Sequence, residues 1–245
     1  MKLNIESYDF SVGLPRPLTF AFVSDLHDED GKDVLAAIEA AGVDAVLVGG
    51  DIVHDDEHYQ KGIRFLTACA EKRKTFCCIG NHERYYRGDL AALITASGAV
   101  LLDDAMVEYG GVWIGGLSSG YRLFTDQEKK GPKFFWRFQR TPAPQLSFLS
   151  RFASQKSFKL LLCHHPEYWP RYIRSLDINL TLAGHAHGGQ WRIGRQGVFA
   201  PGQGIFPRYT SGLYQGRLLV SRGIGNPHRV PRIGNAPMVA IITLS

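Results

Sequence analysis

The chain has 245 residues, 44% of them hydrophobic and 21% charged. Those proportions exclude wholesale disorder, and the length is enough to bury roughly three-quarters of the unfolded surface without staples. The 28 Lys and Arg exceed the 23 Asp and Glu, giving +5 with histidine neutral. So mild an excess leaves nucleic acid, phosphorylated metabolites and acidic membrane surfaces open as partners.

In chain order, apolar runs recur with a shared kind of ending. Leu18–Val23 leads into Ser24-Asp25-Leu26-His27, and Ala45–Val48 into Gly49-Gly50-Asp51. Phe76–Ile79 leads into Gly80-Asn81-His82, Leu160–Cys163 into His164-His165-Pro166, and Leu180–Ala183 into Gly184-His185-Ala186-His187. Each reads as a short buried strand bounded by small residues and a polar side chain. Helical spacing over Asp33–Ala41, stopped by Gly42, and over Tyr59–Lys72 separates the first three. This alternation predicts an α/β layered fold with parallel strands. Val112–Gly116, Leu218–Val220 and Met238–Leu244 read as further strands of a second, mixed sheet. We expect one domain over residues 1–245. The segment 121–152, which interleaves Lys129-Lys130 and Phe134-Phe135-Trp136-Arg137-Phe138, is expected to be an insertion that covers or contacts substrate, or packs on the core.

Cys69, Cys77, Cys78 and Cys163 all sit in apolar company, and the adjacent pair would point to opposite faces of a strand. They are expected to be reduced and buried, which favours the cytoplasm. Lys2 is followed by polar residues rather than a signal-peptide core, and no apolar run approaches the ~20 residues of a membrane span. A cytoplasmic protein, free or peripheral to the inner face of the membrane, is therefore expected.

Open α/β sheets place reactive groups beyond the carboxyl ends of their strands. Here those positions hold Asp25, His27, Asp51, Asn81, His82, His164, His185 and His187. Mixed imidazole and carboxylate ligation suits Mn, Fe or Zn, not an all-oxygen Ca site or a thiolate Zn site. There are more candidate ligands than one ion needs. Two ions sharing a carboxylate, roughly 3.5–4 Å apart, would form the two-metal clamp of phosphoester hydrolysis.

Asp25-x-His27, Gly50-Asp51, Gly80-Asn81-His82-Glu83, His164 and Gly184-His185-x-His187 occur in that order. In this pattern the chain resembles the calcineurin-like metallophosphoesterase family. Gly188-Gly189-Gln190, Tyr209-Thr210-Ser211-Gly212 and Ser221-Arg222-Gly223 are similar to the compact bacterial branch of that family. The resemblance implies a four-layer α/β/β/α sandwich with two mixed β-sheets. It implies two divalent metal ions, one held by Asp25, His27 and His187 and the other by Asn81, His164 and His185, with Asp51 bridging. It also implies attack by a bridging hydroxide, with His82 as a non-ligand histidine assisting the leaving group. One position departs from the family pattern. Where the second block often carries an orienting Asp, this chain has His54, followed by Asp55.

The expected reaction is hydrolysis of a phosphomonoester, phosphodiester or pyrophosphate bond. Phosphorylated small molecules are expected substrates. So is a lipid-linked pyrophosphate resembling a UDP-diacylglucosamine, for which the run Gly204-Ile205-Phe206-Pro207-Arg208-Tyr209 could admit a lipid tail. Arg222 and Arg84 are candidate phosphate-binding residues. A non-catalytic interaction module on the same fold is the competing reading, with His54 the one hint toward it. No strong basic stripe points to nucleic acid. Among neighbouring residues, Asp28, Glu29 and Asp30 are expected to be a solvated turn capping the next helix, and Glu83 to orient backbone groups. His165 is expected to support the pocket at most, His58 and His228 to lie at the surface or hydrogen-bond locally, and Arg229 and Arg232, in a Pro/Gly-rich loop, to be phosphate-binding or equally solvated.

Overall fold

Strict alternation along each strand assigns its side chains to two different layers. The computed structural model describes residues 2–119, 142–226 and 230–245. In β2 (Leu18–Val23), Leu18, Phe20 and Phe22 join one apolar cluster while Ala21 and Val23 join another. The same division runs through β3 (Ala45–Val48) and β4 (Lys74–Cys78), where Cys78 faces the first cluster and Cys77 the second. All four cysteines are free and buried, as their apolar surroundings suggested.

Two six-stranded sheets result. The first adds β1 (Asn4–Phe10), β5 (Val100–Leu102) and β16 (Met238–Leu244), in the order β1-β16-β2-β3-β4-β5. Strands β2 to β5 run parallel, and β16 is antiparallel to β2. The second contains β6 (Ala105–Tyr109), β7 (Val112–Leu117), β8 (Phe158–Cys163), β9 (Leu180–Ala183), β14 (Gly212–Tyr214) and β15 (Leu218–Val220). Its order is β14-β15-β9-β8-β7-β6, parallel from β15 to β7 and antiparallel at both edges. Between β9 and β14 in the chain come four two-residue strands, β10 (Arg192–Ile193), β11 (Gln196–Gly197), β12 (Phe199–Ala200) and β13 (Gly204–Ile205).

The central core is the space between the sheets, where Phe20, Phe22, Leu47 and Phe76 meet Ile114, Leu160, Leu162 and Leu182. Helices α1 (Lys32–Ala41), α2 (Gln60–Ala70) and α3 (Leu90–Ala96) cover the outer face of the first sheet through Val34, Ile38, Phe65, Leu66 and Ile94. Helix α4 (Leu146–Ala153) and the turn Trp169–Ile173 cover the second through Phe148, Phe152, Trp169 and Ile173. This is the expected four-layer α/β/β/α sandwich. Of the expected insertion, residues 120–141 lie outside the described residues. Its last part is α4, whose aromatic residues pack on the sheet.

Asp28 differs from the solvated cap expected of it. It is buried and its Oδ1 accepts the Gly62 N–H at 2.9 Å, tying the loop after β2 to α2. Helix α1 instead starts at Gly31 with no side-chain cap. Among the described residues no helix is long and apolar enough to cross a membrane.

Because Leu162 is fully buried between the sheets, Leu162→Ala should lower unfolding free energy by about 2–5 kcal/mol. The half-exposed Leu213 of β14 is the control, and Leu213→Ala should stay within about 0.5 kcal/mol. Urea unfolding measures both.

Candidate metal centre

The parallel strands of both sheets deliver their carboxyl ends to one edge, and the sharp turns there hold the polar residues. Six of these take left-handed backbone angles without being glycine: Asp25 (φ 55°), His27 (49°), Asp28 (62°), Asp51 (54°), His185 (62°) and His187 (44°). Such angles cost on the order of 1 kcal/mol or more each, and they concentrate where function requires strain.

Four groups of donors converge among the described residues: His27, His54 and His82 form one, His165, Glu167 and His185 another, and the remaining two match the expected sets. Asp25, His27 and His187 bring one donor atom each within 4.8 Å of one another, and Asp51, His164 and His185 do the same. Asp51 stands between them, with Oδ2 3.1 Å from His164 Nε2 and 3.7 Å from His27 Nε2. Asp25 Oδ1 lies 3.5 Å from His187 Nε2 and 3.9 Å from His164 Nε2. Asn81 contributes a buried Oδ1 that finds no hydrogen-bond partner among the described residues. An orphaned amide oxygen beside converging imidazoles and carboxylates is the donor set of a borderline divalent cation. The residues therefore fit the two ions that the motif order implies.

Hydrogen bonds orient the donors. His164 donates from Nδ1 to the Gly49 carbonyl at 2.8 Å, which leaves Nε2 directed at the carboxylates. The His185 N–H donates to both oxygens of Asp25 at 2.9 and 3.2 Å, and the His82 N–H to Asp51 Oδ1 at 2.7 Å. Glu83 gathers the loops: its buried carboxylate accepts from Asp51, Ile52, Val53 and Gly80 N–H at 2.7–3.4 Å. That is the backbone-orienting role expected of it.

The electrostatics call for positive charge. Burial pushes the Asp25 carboxyl up to about 6, against the pull of His164. Burial also acts to raise Asp51, but His164 and His82 outweigh it and hold that carboxyl well below its ordinary range. For His164 burial acts downward, and the two carboxylates overcome it to reach about 10. His27 and His185 are held well below 6.5, first by burial and then by neighbouring histidines, so both are neutral and available as ligands.

The structure also answers what stands in for the orienting Asp. Asp55 turns to His58 at the surface, with Oδ1 2.8 Å from Nδ1. His82 donates from Nδ1 to the main-chain carbonyl of His54 at 2.9 Å, and the His54 ring stacks on His82 with centroids 4.8 Å apart.

Arg222, a candidate for phosphate binding, is engaged by the protein itself. Its guanidinium is committed to Glu6 of β1 at 3.0 Å and to the Ala236 carbonyl at 2.9 Å, bracing the sheet edge. The Arg84 side chain, and the whole of His228 and Arg229, lie outside what the structure describes. Arg232 is buried, which removes the solvated reading, and it donates to the Arg222, Gly223 and Gly225 carbonyls and lies 3.1 Å from His187 Nδ1. Nothing periodic marks it within Val230-Pro231-Arg232-Ile233-Gly234. His165 supports the site as expected. It is buried, 2.5 Å from Ser119 Oγ and 3.4 Å from Glu167, with its ring 4.4 Å from that of His185.

Comparison with known proteins agrees with this geometry. Residues 18–189 match the family described as calcineurin-like phosphoesterase. The chain belongs to that family. Phosphodiesterase YaeI of Escherichia coli is 28% identical, over 93% of this chain and 82% of its own. The uncharacterized metallophosphoesterase YkuE of Bacillus subtilis is 26% identical, over 88% and 73%. Two solved structures share the fold. A dimetal phosphatase from Danio rerio has a TM-score of 0.54 at 12% identity, covering 84% of this chain and 87% of its own. The phosphopantetheinyl hydrolase PptH of Mycobacterium tuberculosis has a TM-score of 0.51 at 16% identity, covering 85% and 90%.

Glu83→Ala would leave four amides around Asp51 and Gly80 without their acceptor. It should destabilise the fold by about 3 kcal/mol and weaken Mn²⁺ binding by about 10–100-fold. Urea unfolding and titration calorimetry read the two effects separately.

Proposed function

We propose that this phosphoesterase uses a dinuclear metal centre to hydrolyse a phosphodiester or related phosphate ester by direct attack of water. The position of Asp51 Oδ2 between the two ligand groups carries this reading. Asp25, His27 and His187 would hold one ion, and Asn81, His164 and His185 the other, with Asp51 shared. Bound divalent cations there would supply charge for the phosphate oxygens and a nucleophile at neutral pH.

The remaining chemistry falls to the chain itself. His82 is fixed through Nδ1 by the His54 carbonyl, so Nε2 is the atom free to serve the leaving oxygen. The His54 carbonyl sets the ring's orientation without placing a carboxylate behind it. The His54 ring, packed against both His27 and His82, forms one wall at the non-ligand histidine. The name of the Escherichia coli relative supports a phosphodiester as the substrate class.

Hydrolysis of bis-p-nitrophenyl phosphate by metal-stripped protein, with Mn²⁺ restored, tests this reading. Turnover should require the ion and fall by about 100-fold or more in Asp51→Asn. A folded protein inactive with every divalent ion would favour a non-catalytic module instead.

His82 and His54 should also separate in the same assay. His82→Ala should lower kcat by about 10²–10⁴-fold. His54→Ala keeps the main-chain carbonyl that holds His82, so kcat should stay within about threefold of the parent. Steady-state kinetics at saturating Mn²⁺ distinguishes them.

A further inference from the structure

The segment that follows the last ligand turn is built unlike the rest of the surface. Strands β10 to β13 form two small hairpins joined to that turn, since Trp191 N–H donates to the Gly189 carbonyl and Val198 N–H to the Trp191 carbonyl. Trp191, Ile193, Phe199, Ile205, Phe206 and Ile233 lie here, each between 43% and 76% exposed. They are not scattered. Trp191 immediately precedes β10, which holds Ile193, and is bridged to Ile233. Phe199 and Ile205 stand directly opposite each other, and Phe206 N–H donates to the Val198 carbonyl. Large apolar side chains exposed together on two hairpins joined through the main chain mark an interaction site rather than ordinary single exposures.

Charge identifies the partner. Asp177 is the last acidic residue of the chain. The 68 residues from 178 to 245 hold seven arginines (192, 195, 208, 217, 222, 229 and 232) and no Asp or Glu. That stretch is more positive than the chain's whole excess of +5. Arg195 and Arg208 are exposed between the apolar residues. Pairing this face with a second copy of itself would oppose the exposed Arg195 and Arg208 with like charges. Single-stranded nucleic acid calls for aromatic stacking platforms, whereas half of the exposed set is isoleucine. Apolar side chains, a tryptophan and unopposed arginines together match the headgroup boundary of an anionic bilayer.

We propose that the surface formed by β10–β13 and Ile233 is a docking platform for an anionic phospholipid membrane. It begins two residues beyond His187's immediate turn, so docking brings the metal-ligand edge of the sandwich near the lipid surface. The proposal does not depend on the reaction assigned above, because binding is read without turnover.

Cosedimentation with vesicles of phosphatidylcholine alone, or of equal parts phosphatidylcholine and phosphatidylglycerol, tests it at low and high salt. The full chain should bind the phosphatidylglycerol vesicles and lose binding as salt rises. The triple variant Ile193→Ser/Ile205→Ser/Phe206→Ser should lower the partition coefficient by about tenfold or more. Arg195→Gln/Arg208→Gln should lower it by about tenfold, and this pair keeps the test available if the triple variant does not fold. Failure of the parent to bind phosphatidylglycerol vesicles would overturn the proposal, as would undiminished binding by both variants. So would light scattering that shows a doubled mass, abolished by the triple variant, in a protein that ignores vesicles. That result would assign the surface to a second copy.

Discussion

Two carboxylates with no access to bulk water set the terms for the whole strand-end edge. Asp25 and Asp51 are essentially fully buried, and moving such a group out of water costs several kcal/mol unless charge and hydrogen bonds replace what is lost. Main-chain amides of His185 and His82 supply part of the replacement. Imidazoles supply more, and the same imidazoles are candidate metal donors. Space around the carboxylates is equally constrained. A Cβ on Gly80 would fall 2.2 Å from Asp51 Oδ1, and one on Gly184 would fall 2.5 Å from Asp25 Oδ2. Those two turns accept no larger residue without displacing a carboxylate. The strained angles at six neighbouring residues belong to the same requirement. The two-sheet core is rigid enough to enforce it, because each ligand turn is the direct continuation of a buried parallel strand.

The ligand edge and the main strands were legible because one physical pattern produces both. A strand buried on two faces reads as an unbroken apolar run, and the polar residue ending it is conspicuous. Hence Leu18–Val23, Ala45–Val48 and Leu180–Ala183 coincide with β2, β3 and β9. The first strand, Asn4–Phe10, lacked that signature. It lies at a sheet edge, its residues alternate between half-buried and exposed, and its pairing with β16 joins opposite ends of the chain. The two-residue strands β10 to β13 are too short for any period to show.

Arg232, Asp28 and the His54 carbonyl were illegible for a different reason. Each acts through contacts distant in sequence, or through the main chain, which every residue possesses. Arg232 reaches His187 across 45 residues, and its surroundings of proline and glycine suggest a loop open to water. Asp28 sits within an acidic triplet that resembles a solvated turn, yet only its partner Gly62, far along the chain, accounts for its burial. The partners of Arg222 were hidden for a related reason. This arginine ends a strand like the ligands do, but Glu6 lies across from it on a strand the pattern did not show.

Residue 54 shows why the distinction between main chain and side chain matters for mechanism. An aspartate at this position would give His82 both an acceptor and a negative charge. The present arrangement keeps the acceptor, as the His54 carbonyl, and omits the charge. Geometry and basicity are thereby uncoupled at the non-ligand histidine. The neutral carbonyl orients the ring through a hydrogen bond of ordinary length, 2.9 Å, weaker than the charge-assisted bond a carboxylate would make. What the His54 side chain adds is bulk: its ring fills the corner between His27 and His82. Change at this position therefore acts on charge, on the shape of the approach to His82, and on a ring nitrogen 3.5 Å from His27 Nδ1.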